Sequence, residues 1–206
     1  MGKLVFVSKE IEYLRMQPTA PLSITLNDYI EAYYGAKILP FNPKYKEIIT
    51  HISNQVVELN PKMPYQGRIN EYGNHLEKTV VASIKKVCGK EIGAKTLGSG
   101  YPDICFKFDK RWFYIEVKIG PNLWGKPSSF RMFFTSTPKD IVAQRKDIQH
   151  GYHLLFHFEH NGPGELTGRY RITDLDGFLY HAHGRKQEGS SIDLYENHNK
   201  FVTERS

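Results

Sequence analysis

The chain has 206 residues, 40% of them apolar and 24% charged, with 28 Lys and Arg against 22 acidic residues and a pI near 9.1. This length lies at the upper end of one domain or the low end of two, and the composition excludes a disordered chain, a membrane span and a disulfide framework, since no run of about 18 apolar residues occurs and Cys88 and Cys105 form no CxxC pair. The net charge of +6 raises the expectation of an anionic ligand, and the opening MGKLVFVSKEIEYL lacks a signal-peptide pattern, so a cytoplasmic protein is expected.

The two prolines of QPTAPLS (17–23) predict an early loop, followed by a short helix in ITLNDYIEAYYGAK that ends near Gly35. A stronger helix is predicted over 43–59, with Asn42 as N-cap and Pro43 in the first turn. Its Tyr45, Ile48, Ile49, Ile52, Val56 and Leu59 make one apolar stripe. Prolines and glycines in NPKMPYQGRINEYG (60–73) predict a loop, and NHLEKTVVASIKKVCGK the next helix. Leu76, Val80, Val81, Ile84 and Val87 form its core face, with Gly89 as C-cap. Glu77 falls on or beside that face, where a carboxylate must be paired, hydrogen-bonded, metal-bound or able to reach solvent.

After a weakly signalled strand in EIGAKTL (91–97), two strands alternate cleanly. In the first, Ile104, Phe106 and Phe108 point one way and Asp103, Cys105 and Lys107 the other. In the second, Phe113, Ile115, Val117 and Ile119 oppose Trp112, Tyr114, Glu116 and Lys118. DKR between them is short enough for a hairpin. One face is apolar enough to pack on a helix. The other gathers Asp103, Glu116 and Lys118, and is either solvated or an active site. An irregular stretch then leads to a helix in TPKDIVAQRKDIQHG, with Thr137 as cap, Pro138 at its first position and Ile141, Val142, Arg145 and Ile148 inward. YHLLFHFEH (152–160) is a strongly apolar strand, expected at the centre of a sheet, and GRYRITDLDGFLYHAHGRKQEGSS is expected to decorate the periphery.

The charged residues suit phosphodiester hydrolysis. Asp and Glu supply hard oxygens for Mg²⁺, which is usually held by one or two carboxylates. A metal ion acidifies a bound water and neutralises phosphate, and a neighbouring lysine orients or deprotonates that water and adds positive charge. Glu-x-Lys on a strand delivers both groups to one side, where Asp103 and the helical Glu77 can meet them.

PD at 102–103, twelve residues, then EVK at 116–118 resembles the signature of the PD-(D/E)XK nuclease superfamily. GSGY before it, the apolar residues flanking EVK and the upstream helical glutamate agree. The resemblance implies an α/β (α+β) fold with a restriction-endonuclease-like core, a mixed central sheet flanked by helices in the order α-β-β-β-α-β. It also implies that Asp103 and Glu116 bind Mg²⁺ (with Mn²⁺ as a substitute), that Lys118 contacts the attacking water, and that Glu77 is an accessory acid and metal ligand. About 70 residues before the core and 45 after it fit a type II restriction endonuclease acting as a homodimer on double-stranded DNA, with no membrane association. The alternatives are a Holliday-junction resolvase or repair nuclease of the same fold, or a non-catalytic DNA-binding domain. The expected organisation is a single nuclease domain over 1–206, with a catalytic core at about 75–160, an N-terminal helical extension at about 24–60 and a C-terminal extension at about 165–206.

Candidate DNA contacts lie in the irregular segments 60–75, 122–135 and 183–191: Arg68, Asn70, Asn74, Lys126, Ser128, Ser129, Arg131, Arg185, Lys186 and Gln187. His181 and His183 share one face of a short strand without an evident third metal ligand, and TDLDG reads as a turn rather than a calcium loop.

Overall fold

The computed structural model describes residues 22–98, 101–123, 148–182 and 200–206. Its framework is the hairpin of β3 (Ile104–Phe108) and β4 (Arg111–Gly120), paired from Ile104↔Ile115 to Phe108↔Arg111. Asp109 and Lys110 both turn at positive φ, 48° and 61°, as a two-residue type I′ connection requires. Neither is glycine, and the turn is tied down from outside. Lys44 Nζ and Tyr45 Oη donate to Asp109 Oδ2 at 2.7 and 2.8 Å.

β5 (Gly151–Gly162) pairs parallel with β4, from Trp112↔Gly151 to Gly120↔Glu159. A Cβ at Gly151 would lie 2.6 Å from the Trp112 carbonyl oxygen, so the strand can begin there only with glycine. Residues 37–39 close on its other side, where Leu39 N–H donates to the Gly151 carbonyl at 2.9 Å. β6 (Glu165–Asp174) and β8 (Phe201–Arg205) follow antiparallel, and β2 (Lys95–Thr96) edges the opposite side. The described sheet has six strands in the order β2-β3-β4-β5-β6-β8. β5 is central, as its apolar run requires, but 165–174 is not peripheral. Its Tyr170 and Ile172 alternate into the core, a period-2 signal shared with charged neighbours.

Two helices cover one face of this sheet. The first, α2 (Lys46–Leu59), follows a 3-10 turn over Pro43–Tyr45 capped by the Asn42 side chain. α3 (Ile69–Cys88) runs beside it. Ile49, Ile52, Val56, Leu76, Val80 and Ile84 meet Ile104, Phe106, Phe113, Ile115, Val117 and the even-numbered residues 152–158 of β5 in one cluster. The stripe of α2 is thus committed to its own chain's core. α3 begins five residues earlier than its apolar pattern indicates, inside the expected loop. Tyr72 is fully buried and donates to Asn60 Oδ1 at 2.8 Å, which offsets a helical Gly73 costing about 1 kcal/mol.

The shorter α1 (Leu26–Tyr34) is capped by Thr25 in a capping box with Asp28 and ends at left-handed Gly35, as its sequence indicates. β1 (Leu22–Thr25) falls partly in the expected 17–23 loop and pairs antiparallel with β7 (Leu179–Ala182) in a separate two-stranded sheet, with Ser23 opposite His181. Four residues paired across such a sequence separation leave no periodic signal. TDLDG is a turn, as expected: Asp176 N–H donates to Asp174 Oδ1 at 3.1 Å and Lys200 Nζ to Asp176 Oδ2 at 2.8 Å. The predicted helix around 137–147 and His183 lie outside the described residues.

Because Ile52 is fully buried against the sheet, Ile52→Ala should lower unfolding free energy by about 2–5 kcal/mol in chemical denaturation. The partly buried Ile48 should cost less when truncated.

Candidate active site

The strand pairing that begins at Ile104↔Ile115 leaves Asp103 one position beyond it. Asp103 N–H donates to the Ile115 carbonyl at 3.0 Å, and the Asp103 carbonyl accepts from Leu97 N–H at 2.7 Å. The next inward donor of β4, Val117 N–H, goes to the Asp103 side chain instead, with Oδ2 accepting at 2.8 Å. The carboxylate is therefore lodged against β4 between Glu116 and Lys118. The alternation that brings these three together is the one read from the sequence.

Glu116 is only 4% exposed, and Lys118 Nζ donates to its Oε1. The same ammonium lies 3.4 Å from the Val117 carbonyl oxygen, and the lysine side chain keeps 19% of its surface accessible. Burial alone would lower its pKa, but Glu116, then Asp103 and, more weakly, Glu77 outweigh it, so the net shift is upward. Lys118 is an ammonium at neutral pH. α3 thus brings Glu77, half-buried beside the Leu76–Val80 stripe, within electrostatic range of the lysine. Among the described residues, however, no three His, Cys, Asp or Glu side chains form a metal-holding group, so Glu77 does not complete a three-ligand cluster with Asp103 and Glu116. Two adjacent carboxylates with hard oxygens still fit an Mg²⁺ ion, which keeps most of its waters.

Behind these residues the same sheet face continues into polar groups that the sequence pattern does not single out. Lys118 pairs with His157, His157 with Arg171, and Arg171 with Glu204, whose Oε2 lies 3.4 Å from Arg171 Nε. Burial, then the Arg171 and Lys118 charges, push His157 down to about 3, and burial pushes His153 down to about 3. Both imidazoles are neutral, so neither adds to the positive charge of Lys118 and Arg171. The histidines of YHLLFHFEH sit at alternate-face positions 153 and 157, a signal hidden by the apolar residues around them. Tyr101, 2% exposed, shares a hydrogen bond with His153 Nδ1.

Of the candidate DNA contacts, Arg68 is exposed just before α3. Asn70 and Asn74 belong to α3 itself and not to an irregular segment, because the helix starts at Ile69. Lys126, Ser128, Ser129, Arg131, Arg185, Lys186 and Gln187 lie outside the described residues.

A mixed sheet backed by two helices, presenting an aspartate beside Glu-x-Lys on the strand that pairs parallel with β5, places the chain in the class of restriction-endonuclease-like nucleases. No curated protein and no solved structure matches it. A family model described as the Type II restriction enzyme MjaV family matches residues 21–188, and the chain belongs to that family. It is a sequence-specific DNA endonuclease of a restriction system. None of its described helices is long and apolar enough to cross a membrane.

Two measurements follow from this geometry. Asp103→Ala strands the Val117 N–H and should cost about 1–3 kcal/mol of stability, whereas Asp103→Asn keeps an acceptor and should cost less in the same denaturation assay. The two histidines have folded pKa values near 3, below the ordinary 6.5, so their contribution is complete above about pH 6.5 and is lost as pH falls toward 3. The slope reaches about 1.4 kcal/mol per pH unit for each group. Thermal unfolding between pH 7 and pH 4 should show this decline, and His153→Phe should flatten it.

Proposed function

We propose that the enzyme cleaves duplex DNA with Mg²⁺ held by Asp103 and Glu116, in the manner of a PD-(D/E)XK nuclease. The observation that carries this reading is the Asp103 carboxylate fixed on β4 between Glu116 and an ammonium. Asp103 Oδ1 and the Glu116 carboxylate are the oxygens assigned to the ion, and Mn²⁺ substitutes for it. When bound, the metal neutralises phosphate charge and acidifies a water.

Lys118 has a role that its protonation decides. Without metal the neighbouring carboxylates hold Lys118 as an ammonium, a donor placed to orient the attacking water and to stabilise phosphate charge. Its hydrogen bond to Glu116 Oε1 keeps Nζ beside the carboxylates and stops the long side chain from swinging away. Glu77 acts at longer range, adding to the negative field that keeps Lys118 charged. Arg68 is assigned to the DNA backbone from its exposed place ahead of α3.

The working form is a cytoplasmic homodimer, since a palindromic duplex site has twofold symmetry and a C₂ pair presents one site to each strand. Each chain contributes one nuclease domain. A sedimentation measurement showing a monomer on cognate duplex would contradict the dimer.

Asp103→Asn, Glu116→Gln and Lys118→Ala should each fold and bind duplex DNA yet lose about 10²–10³ in cleavage rate, the usual cost of one preorganised electrostatic group. Glu77→Gln should lose less. Circular dichroism, site binding and Mg²⁺-dependent plasmid digestion measured side by side give the answer. Wild-type cleavage by any of the three strand variants would overturn the assignment.

A further inference from the structure

Asp103 is held on its C-terminal side by the β3–β4 pairing, but two residues before it the chain has a different anchor. Tyr101 does not point along β3. Its ring stacks on His153 of β5, with centroids 5.7 Å apart and planes at 23°, and its hydroxyl shares a hydrogen bond with His153 Nδ1. β4 lies between β3 and β5, so the tyrosine side chain reaches over β4 on the face that carries Glu116 and Lys118. The His153 ring packs in turn on Tyr114 at 4.7 Å, and the Tyr114 hydroxyl accepts from Gln149 N–H at 2.8 Å just before β5 begins. The approach to Asp103 is thereby fastened to the central strand by a chain of rings and hydrogen bonds.

The choice of histidine at 153 is costly for a residue that only packs. It is fully buried, and its Nε2 finds no hydrogen-bond partner among the described residues. A phenylalanine would fill the same space without that orphaned polar atom. What the imidazole adds over a phenylalanine is a hydrogen-bond partner for the Tyr101 hydroxyl.

We propose that Tyr101 and His153 are positioning residues for the reaction, a brace that fixes the Asp103 carboxylate against β4. This rests on the reading of Asp103 as a functional carboxylate. Both side chains are buried, so their part is to act through Asp103. The brace acts through the Pro102 linkage on the Asp103 Oδ2 bond to Val117 N–H.

Tyr101→Phe removes one oxygen and keeps the ring. It should lower the single-turnover cleavage rate roughly 10–100-fold, the range seen when an outer support of a metal-binding group is lost. Metal-free affinity for cognate duplex should stay at the wild-type value. In the protein without metal or DNA, the Val117 amide should exchange faster with solvent, a readout that does not depend on catalysis. His153→Phe should match Tyr101→Phe, His153→Gln should recover most of the rate by offering the hydroxyl a polar partner, and the double Phe variant should be no worse than either single one. The proposal fails if Tyr101→Phe, or His153→Phe should the former not fold, cleaves at the wild-type rate with unchanged Val117 exchange. It fails equally if thermal stability drops while both of those stay constant. Asp103→Asn is the control that separates the two readings: wild-type cleavage by that variant would mean that the function assigned to Asp103 is wrong, not the brace.

Discussion

One hydrogen bond organises the site. Where β3 gives out, the inward N–H of Val117 has no strand to pair with, and the Asp103 carboxylate takes it. A buried backbone donor must find an acceptor, so the fold itself demands an oxygen at this point. That demand is met by a side chain, not a carbonyl, and it brings a negative charge to the position between Glu116 and Lys118. A structural requirement and a chemical one are satisfied by the same atom pair. The other carboxylate oxygen of Asp103 remains for a second partner, which is how a residue can close a sheet and serve a reaction.

The charges around that bond form a graded field. Glu116 is almost fully buried and would be costly alone, but it lies against the Lys118 ammonium. Asp103 and Glu77 reinforce that ammonium, while His153 and His157 behind it stay neutral because burial disfavours their charged forms. The face therefore carries more negative than positive charge near Lys118, an arrangement suited to a cation and unsuited to a bare phosphate. An anionic DNA backbone approaches such a face more readily when a metal ion accompanies it.

Much of this was legible in the residues because period-2 alternation puts every second side chain on one face. Asp103, Glu116 and Lys118 could be assembled from that rule and a two-residue turn, and Ile104, Phe113 and Ile115 assigned to the core by the same count. Helix α3 was legible in its apolar half, but its first turns were not, since Gly73 and two asparagines mask a stretch held by the tertiary Tyr72–Asn60 bond. β1 and β6 were misread for related reasons: one is too short to have a period, and the other mixes Arg169 and Arg171 with its core residues. The histidines of β5 were hidden by an apolar run, and the reach of Tyr101 across β4 is a property of three-dimensional packing that spacing alone does not encode.

The central claim is that the carboxylates of Asp103, just ahead of β3, and Glu116, on β4, hold a divalent cation beside Lys118. Calorimetric titration of Ca²⁺ into the complex with uncleaved cognate duplex tests it without relying on turnover. The account predicts a binding isotherm for the wild-type complex that weakens strongly in Asp103→Asn and in Glu116→Gln, while Lys118→Ala retains it. Equal affinity in the wild type and both carboxylate variants would contradict it.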